Sequence, residues 1–342
     1  MSPSAVCDTT ANGGRRLAHL NGHEENEKRA ETVVAPSITN DSTFSSSRGL
    51  ADLQTEQKNL KTANIDSMSS LELCRVINEE DSTVARAVQK CLPAIAAAID
   101  VIVPRLLDGG RVIYTGAGTS GRLGILDASE IPPTFSAPAG QFVGIIAGGD
   151  YAIRNAVEGA EDSESMGAAD LAALSPPINE ADTLIGIASS GRTPYVLGGL
   201  KYARSIGAAT VGLACVHPSS LGAICDVVIE CVTGPEVVTG STRLKAGTAT
   251  KMILNMISTG SQIQIGKTFG NLDRARRVVR MVVPSPSALD IEREDVLDAV
   301  FVECDGQVKL SILVATLGCS PEEGRAKLEA ASGSLRKALW VK

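Results

Sequence analysis

Five short apolar, β-prone runs recur along the chain with helix-patterned stretches between them, and this alternation limits the fold more than any other feature. The runs are Arg111 to Thr115, Phe142 to Ala147, Thr183 to Ala188, Thr210 to Cys215 and Val227 to Cys231. They are continuous apolar runs, as expected of strands covered on both faces, and the helical stretches Leu123 to Glu130, Tyr151 to Gly159 and Pro194 to Ile206 lie between them. Strand and helix in alternation predict an α/β fold with a parallel central sheet flanked by helices. Upstream, Leu71, Leu73, Cys74, Val76 and Ile77 predict one helix. Val84, Val88, Leu92, Ile95, Ile99 and Ile102 predict a second, by their three- and four-residue spacing. Arg243 to Lys267 reads as one long helix, and Glu292 to Phe301, Gln307 to Thr316 and Glu322 to Leu339 as a small C-terminal helical bundle.

At 342 residues and 44% hydrophobic, the chain is long enough for one large core and a smaller appendage. Residues 1–50, rich in Ser, Thr, Asn, Gly and charge, have no periodic apolar pattern and read as a disordered extension. Acidic residues interleaved with Arg15 and Arg16 argue against a transit peptide. A formal net charge of −7 offers no field for a phosphate backbone, so nucleic acid is not expected as a partner. The most apolar stretch, Leu92 to Leu107, is broken by Pro93, Asp100, Pro104 and Arg105, so no membrane span is expected. Eight cysteines without metal spacing or a secretory signal fit reduced thiols in a cytoplasmic protein. With three histidines in the chain, carboxylates become the default acid and base groups.

Two turns carry candidate chemistry. After the first run come Gly116, Ala117, Gly118, Thr119, Ser120, Gly121 and Arg122, a strand, a turn of small residues and a helix start. Such a turn exposes N–H groups and hydroxyls at the positive end of a helix, where a phosphate or sugar hydroxyl can sit, although a tight turn needing glycines explains it equally well. It lacks the glycine spacing and the acidic residue of a dinucleotide site. After the third run come Ser189, Ser190, Gly191, Arg192, Thr193 and Pro194, with proline at a helix start and hydroxyls free for an anion. Two such turns on one parallel sheet can face a single crevice at the strand ends, which favours phosphate binding. Among carboxylates, Glu130 precedes Ile131, Pro132 and Pro133, which are expected to stop its helix. Glu158 and Glu161 are three apart beside Asp162 and Glu164, and a solvated acidic face describes them as well as a site does.

Longer stretches resemble a known family. Thr55 to Gln57 with Asn64 to Asp66, Gly116 to Pro133, Ala147 to Asp162, Ala188 to Tyr195 and Gly234 to Lys251 are similar to the N-acetylmuramic acid 6-phosphate etherases of the sugar isomerase (SIS) superfamily, over about residues 51–342. The resemblance implies an SIS-type three-layer sandwich over 51–283 and a C-terminal helical, UBA-like subdomain over 284–342. It implies removal of D-lactate from N-acetylmuramic acid 6-phosphate in a homodimer, with no metal or redox cofactor required. By motif position Glu130 is the candidate acid for the leaving lactate and Glu161 the candidate base at C2, ahead of Glu158. Gly118, Thr119, Ser120, Ser189, Ser190, Gly191 and Thr193 are the candidate phosphosugar contacts, and Lys245 adds charge or a structural contact. The chain departs from the family in its N-terminal extension, in Val216 and His217 standing where an Asn-Pro turn is usual, and in a shortened connection after Leu272. His217 reads as a loop residue without a catalytic role. Two other readings share the phosphosugar turns: a non-catalytic sensor like the glucokinase regulatory proteins, and an aldose–ketose isomerase. Retention of both glutamates and the single SIS unit favour the lyase.

Overall fold

In the computed structural model, residues 54–268, 275–284 and 286–340 are described. The extension over 1–50 and the connection just after Leu272 lie outside the described residues. Five strands, β1 (Val112–Gly116), β2 (Phe142–Ile146), β3 (Thr183–Ile187), β4 (Ala209–Ala214) and β5 (Val227–Glu230), form one all-parallel sheet in the order β2-β1-β3-β4-β5. Side chains alternate across it, as the two-residue period of a strand requires. Val112, Tyr114, Ile185, Ile187, Val211 and Leu213 enter one buried cluster, and Ile113, Leu184 and Ala214 enter the other.

Helices α2 (Val84–Gln89), α3 (Leu92–Leu107), α4 (Gly118–Phe135) and α8 (Lys245–Gln264) supply the first cluster through residues such as Val88, Ile102, Ile131 and Ile253. Helices α6 (Glu164–Ala172) and α7 (Pro194–Ser205) supply the second through Leu171, Val196 and Leu200. The result is the helix–sheet–helix sandwich expected from the alternation. Helix α1 (Ser70–Asp81) opens on a capping box between Ser69 and Glu72, and α5 (Gly149–Arg154) follows β2.

Local corrections have physical causes. The segment read as one helix from Val84 divides at Lys90–Cys91, because Pro93 begins a new helix more readily than it continues an old one. Pro132 and Pro133 do not stop α4: it runs on to Phe135 and ends on left-handed Ser136 (φ 50°). Ile131 and Phe135, both buried in the core, hold that final turn in place. Helix α5 ends at Arg154 rather than near Gly159, and α6 was not read from the sequence at all.

Helices α9 (Ala275–Val282), α10 (Glu294–Glu303), α11 (Val308–Leu317), α12 (Pro321–Ala330) and α13 (Leu335–Trp340) follow. Ser332 and Gly333, both at positive φ, divide the segment that reads as one helix over Glu322 to Leu339. Val278, Val279 and Val283 share a buried cluster with Leu297, Ile312 and Leu335, so this helical core reaches back beyond Pro284. Among the described residues no helix is long and apolar enough to cross a membrane, and the seven described cysteines stand as free thiols.

Candidate functional site

The order β2-β1-β3-β4-β5 reverses direction at β1, since the chain goes outward to β2 and then back across to β3. In such sheets the crevice for a ligand opens beyond the carboxyl ends of the two strands at the reversal. Both sequence-flagged turns leave from there, the first from β1 into α4 and the second from β3 into α7. Ser120 Oγ and Ser189 Oγ, 69 residues apart in the chain, lie within 3.5 Å of one another.

Each turn is shaped to offer backbone N–H groups. The turn into α4 is so close that a Cβ on Gly116 would lie 2.7 Å from the nitrogen of Gly121, and Gly118 has φ +52°. Neither Ala117, the N-cap of α4, nor Thr193, the N-cap of α7, makes a side-chain capping bond. The first N–H groups of an 18-residue helix therefore point outward at its positive end, as anion-binding helix starts do. Gly191 (φ +68°) folds the second turn against Ser219, leaving Ser190 and Thr193 half-buried beside it. Thr119 sits by the start of α8, 3.5 Å from where a Cβ on Gly247 would be.

A cleft of about 190 Å³ opens beside the first turn, lined by Ala117, Gly118, Arg122, Asn155, Glu158 and Glu161 among others. Arg122, on the first turns of α4, donates to the carbonyls of Ile153 (2.9 Å), Ala152 (2.8 Å) and Asn155 (2.9 Å). The carbonyl of Glu161 accepts from the backbone N–H of Tyr195 in α7 (3.0 Å). Glu161 is thus held between the two turns, with its side chain exposed at the rim of the cleft. Glu158 shares that rim. The anchoring roles of the Arg122 side chain and the Tyr195 N–H leave no mark in sequence because they act on main-chain carbonyls, although both residues lie within the matched stretches.

Two expected site residues stand elsewhere. Glu130 is exposed on α4, about 18 Å along the helix axis from Gly118, and does not line this cleft. Lys245 is buried (2% exposed), and its Nζ meets Glu80 Oε2 at 2.7 Å, a structural contact. The reason lies just upstream: Glu236, fully buried, accepts from the N–H groups of Lys245 and Ala246 (2.9 Å each) and fixes the start of α8 inward. Burial raises the Glu236 carboxyl, against those two N–H groups and the Lys245 charge. His217 is an exposed loop residue whose Nδ1 pairs with Glu230. Among the described residues no cluster of three or more His, Cys, Asp or Glu is arranged to hold a metal.

A parallel sheet with two anion-ready helix starts at its reversal point defines an open α/β protein with an anion site at its strand ends. Residues 163–259 match the SIS domain family, and residues 94–204 match the N-terminal SIS domain of glucokinase regulatory protein. The chain belongs to the N-acetylmuramic acid 6-phosphate etherase family. It is 48% identical over 305 residues to an etherase of that name from Caldanaerobacter subterraneus subsp. tengcongensis, spanning 86% of this chain and 97% of the relative. It is 47% identical to the one from Rhizobium rhizogenes, over 86% of this chain and 96% of the relative. For the one from Escherichia coli O1:K1 the identity is 48%, over 85% and 98%. A solved phosphoheptose isomerase from Neisseria gonorrhoeae overlaps 57% of this chain and 100% of its own at 15% identity and a TM-score of 0.44. The match to the regulatory protein covers one domain, whereas the etherase relatives span nearly their whole length, so the sensor reading is not favoured.

Proposed function

We propose that this chain cleaves the lactyl ether of N-acetylmuramic acid 6-phosphate, giving N-acetylglucosamine 6-phosphate and D-lactate. The observation that carries the reading is the near-complete span of etherase relatives at 48% identity, joined to a cleft that sets Glu161 beside the first phosphosugar turn. An ether at C3 resists direct hydrolysis. Opening of the sugar ring exposes an aldehyde at C1, which makes the C2 hydrogen acidic and puts the lactyl group β to a carbonyl. Glu161 takes the C2 proton as the C3–O bond breaks, and Glu130 protonates the departing lactate oxygen. Water then adds at C3 of the unsaturated aldehyde, so the net change is one water consumed and one lactate released. Each carboxyl group changes protonation state within the cycle, as general acid–base catalysis requires.

The phosphate is assigned to the α4 start and to the Ser120, Ser189, Ser190 and Thr193 hydroxyls. Because Glu130 stands apart from the cleft of its own chain, we assign it to the cleft of a second copy in a homodimer. The seven free thiols fit a cytoplasmic setting.

The test is D-lactate release from N-acetylmuramic acid 6-phosphate by the wild type, Glu130→Ala and Glu161→Ala. Both variants are expected to be inactive alone and to regain partial activity when unfolded and refolded together, since mixed dimers then hold one intact site. A wild type that binds the phosphosugar but releases no lactate would refute the reaction. Inactivity of the refolded mixture would refute the shared site.

A further inference from the structure

Residues 150–162 run from Gly148 and Gly149 (φ +87° and +67°), through a turn at Gly159 (φ +74°), to the α6 cap at Ser163. Helix α5 is only six residues long, and the segment that follows it up to Ser163 has no helix or strand to stiffen it. Yet this segment carries Glu158 and Glu161, and a general base must be held to within a fraction of an ångström of its proton.

Its first half, where Ala152 is buried, is fastened by one side chain. The Arg122 guanidinium spans the carbonyls of Ala152, Ile153 and Asn155, groups that the end of a short helix leaves without a partner of its own. Its rigid planar fork of five donors fixes the relative positions of several acceptors, where an ammonium is a compact charge on a flexible stem. Arg122 stands one turn beyond Gly118 and Ser120, so it ties the base-bearing segment directly to the helix start assigned to the phosphate. On the far side the N–H of Tyr195 holds the Glu161 carbonyl. Two anchors from two different turns therefore bracket the glutamate.

We propose that Arg122 is a positioning residue for proton abstraction, which sets Glu161 relative to bound phosphosugar by clamping the end of α5. The inference rests on Glu161 being the base. It predicts a specific division of effects. Losing the clamp lets the segment pivot about its glycines, so chemistry at C2 suffers while the helix start that binds the phosphate stays in place.

The experiment compares wild type, Arg122→Lys, Arg122→Met and Glu161→Gln. Three quantities are read: kcat and KM for D-lactate release, exchange of the C2 hydrogen of N-acetylglucosamine 6-phosphate in D2O by NMR, and affinity for that product by calorimetry. For both Arg122 variants, kcat and C2 exchange should fall together by about 10- to 100-fold, with the lysine variant less affected and product affinity changed by less than about 3-fold. Unchanged exchange in Arg122→Lys and Arg122→Met beside a silent Glu161→Gln overturns this inference alone. Equal loss of affinity and kcat also overturns it, since Arg122 would then be a phosphate contact. So does failure of both Arg122 variants to melt cooperatively, which would make it a determinant of folding. Full exchange in Glu161→Gln would instead remove the base assignment on which the inference rests.

Discussion

Glu80 at the end of α1 and Lys245 at the start of α8 stand 165 positions apart in the chain and 2.7 Å apart in the fold. Both are buried, and the second oxygen of Glu80 takes the Lys61 ammonium (2.8 Å) while Asn59 adds an amide donor (2.9 Å). The pair therefore pins the N-terminal turns and α1 to the helix that covers the sheet. Glu80→Gln leaves Lys245 buried and charged without a carboxylate, at a cost of about 3–5 kcal/mol, whereas Lys245→Met leaves Glu80 its Lys61 and Asn59 partners and costs less. Both are expected to lower the urea midpoint, Glu80→Gln the more, by the free-energy cost divided by the m-value. The double variant Glu80→Leu/Lys245→Met should recover part of it, because a buried apolar pair needs no compensation.

The same carboxylate makes a pH signature. Burial pushes the Glu80 carboxyl up, but hydrogen bonds from Lys245 and Lys61, the Lys245 charge and the Asn59 amide outweigh it and hold it at about 2, against an ordinary 4.5. A lowered carboxylate contributes stability that is fully present above its unfolded value and is lost as pH falls through the folded one. Stability measured by urea unfolding should therefore fall from about pH 4.5 down towards pH 2, and Glu80→Gln should show a shallower slope over that window.

The five strands and the two turns are legible in the sequence because parallel strands buried on both faces leave unbroken apolar runs, and helix starts leave glycine, serine and proline behind them. The pairing of Lys245 with Glu80 is not legible, although a structural contact is one of the two readings of this lysine. Its partner lies 165 residues away, and the anchor Glu236 reads as one more loop acid. Arg122 eluded the sequence for a different reason, since backbone carbonyls leave no mark in composition. Helix α4 passes Pro132 and Pro133 because tertiary burial of Ile131 and Phe135 overrides a local rule. The separation of Glu130 from the cleft follows from the helix between it and Gly118, which the predicted helical stretch up to Glu130 already implies.

Ser120 and Ser189 meet where the two turns converge, so both should contact the same anion. A hydrogen bond to a charged group contributes about 1.5–3 kcal/mol. Ser120→Ala and Ser189→Ala should each weaken N-acetylglucosamine 6-phosphate binding about 10- to 100-fold by calorimetry. Affinities within 2-fold of wild type would place the phosphate elsewhere.

Helices α6 and α7 touch through glycines: a Cβ on Gly198 would lie 1.9 Å from the Glu164 carbonyl oxygen, and one on Gly167 just as close to that of Tyr195. Backbone atoms cannot yield as a side-chain tip does, so Gly198→Ala must push the helices apart. Overpacking of this kind costs about 1–3 kcal/mol or more. Gly222→Ala, where nothing lies within 4 Å of the added carbon, is the control and should be near neutral in thermal melts. Lactate release should fall in Gly198→Ala as well, because Tyr195 anchors the Glu161 carbonyl.

Asp127, one turn before Glu130 on α4, is buried between the sheet and α8. Tyr114 of β1 donates to its Oδ2 (2.8 Å) and Ser258 of α8 to its Oδ1 (3.1 Å). Burial raises this carboxyl, against the two hydroxyls and the Lys251 charge. The folded state thus holds the Asp127 proton more tightly than the unfolded chain, so this residue's contribution declines as pH rises above its ordinary 3.8. Tyr114→Phe removes one of the two donors and leaves a buried oxygen unpaired, which costs about 1–3 kcal/mol at neutral pH. Acidification should shrink that cost, because a protonated carboxyl has less need of a donor. A cost that stays constant as pH falls would mean that packing and not the hydrogen bond to the carboxylate decides the effect. Asp127→Asn in the Tyr114→Phe background separates the two further: it removes the charge while keeping the shape, and should make the penalty independent of pH between 4 and 7.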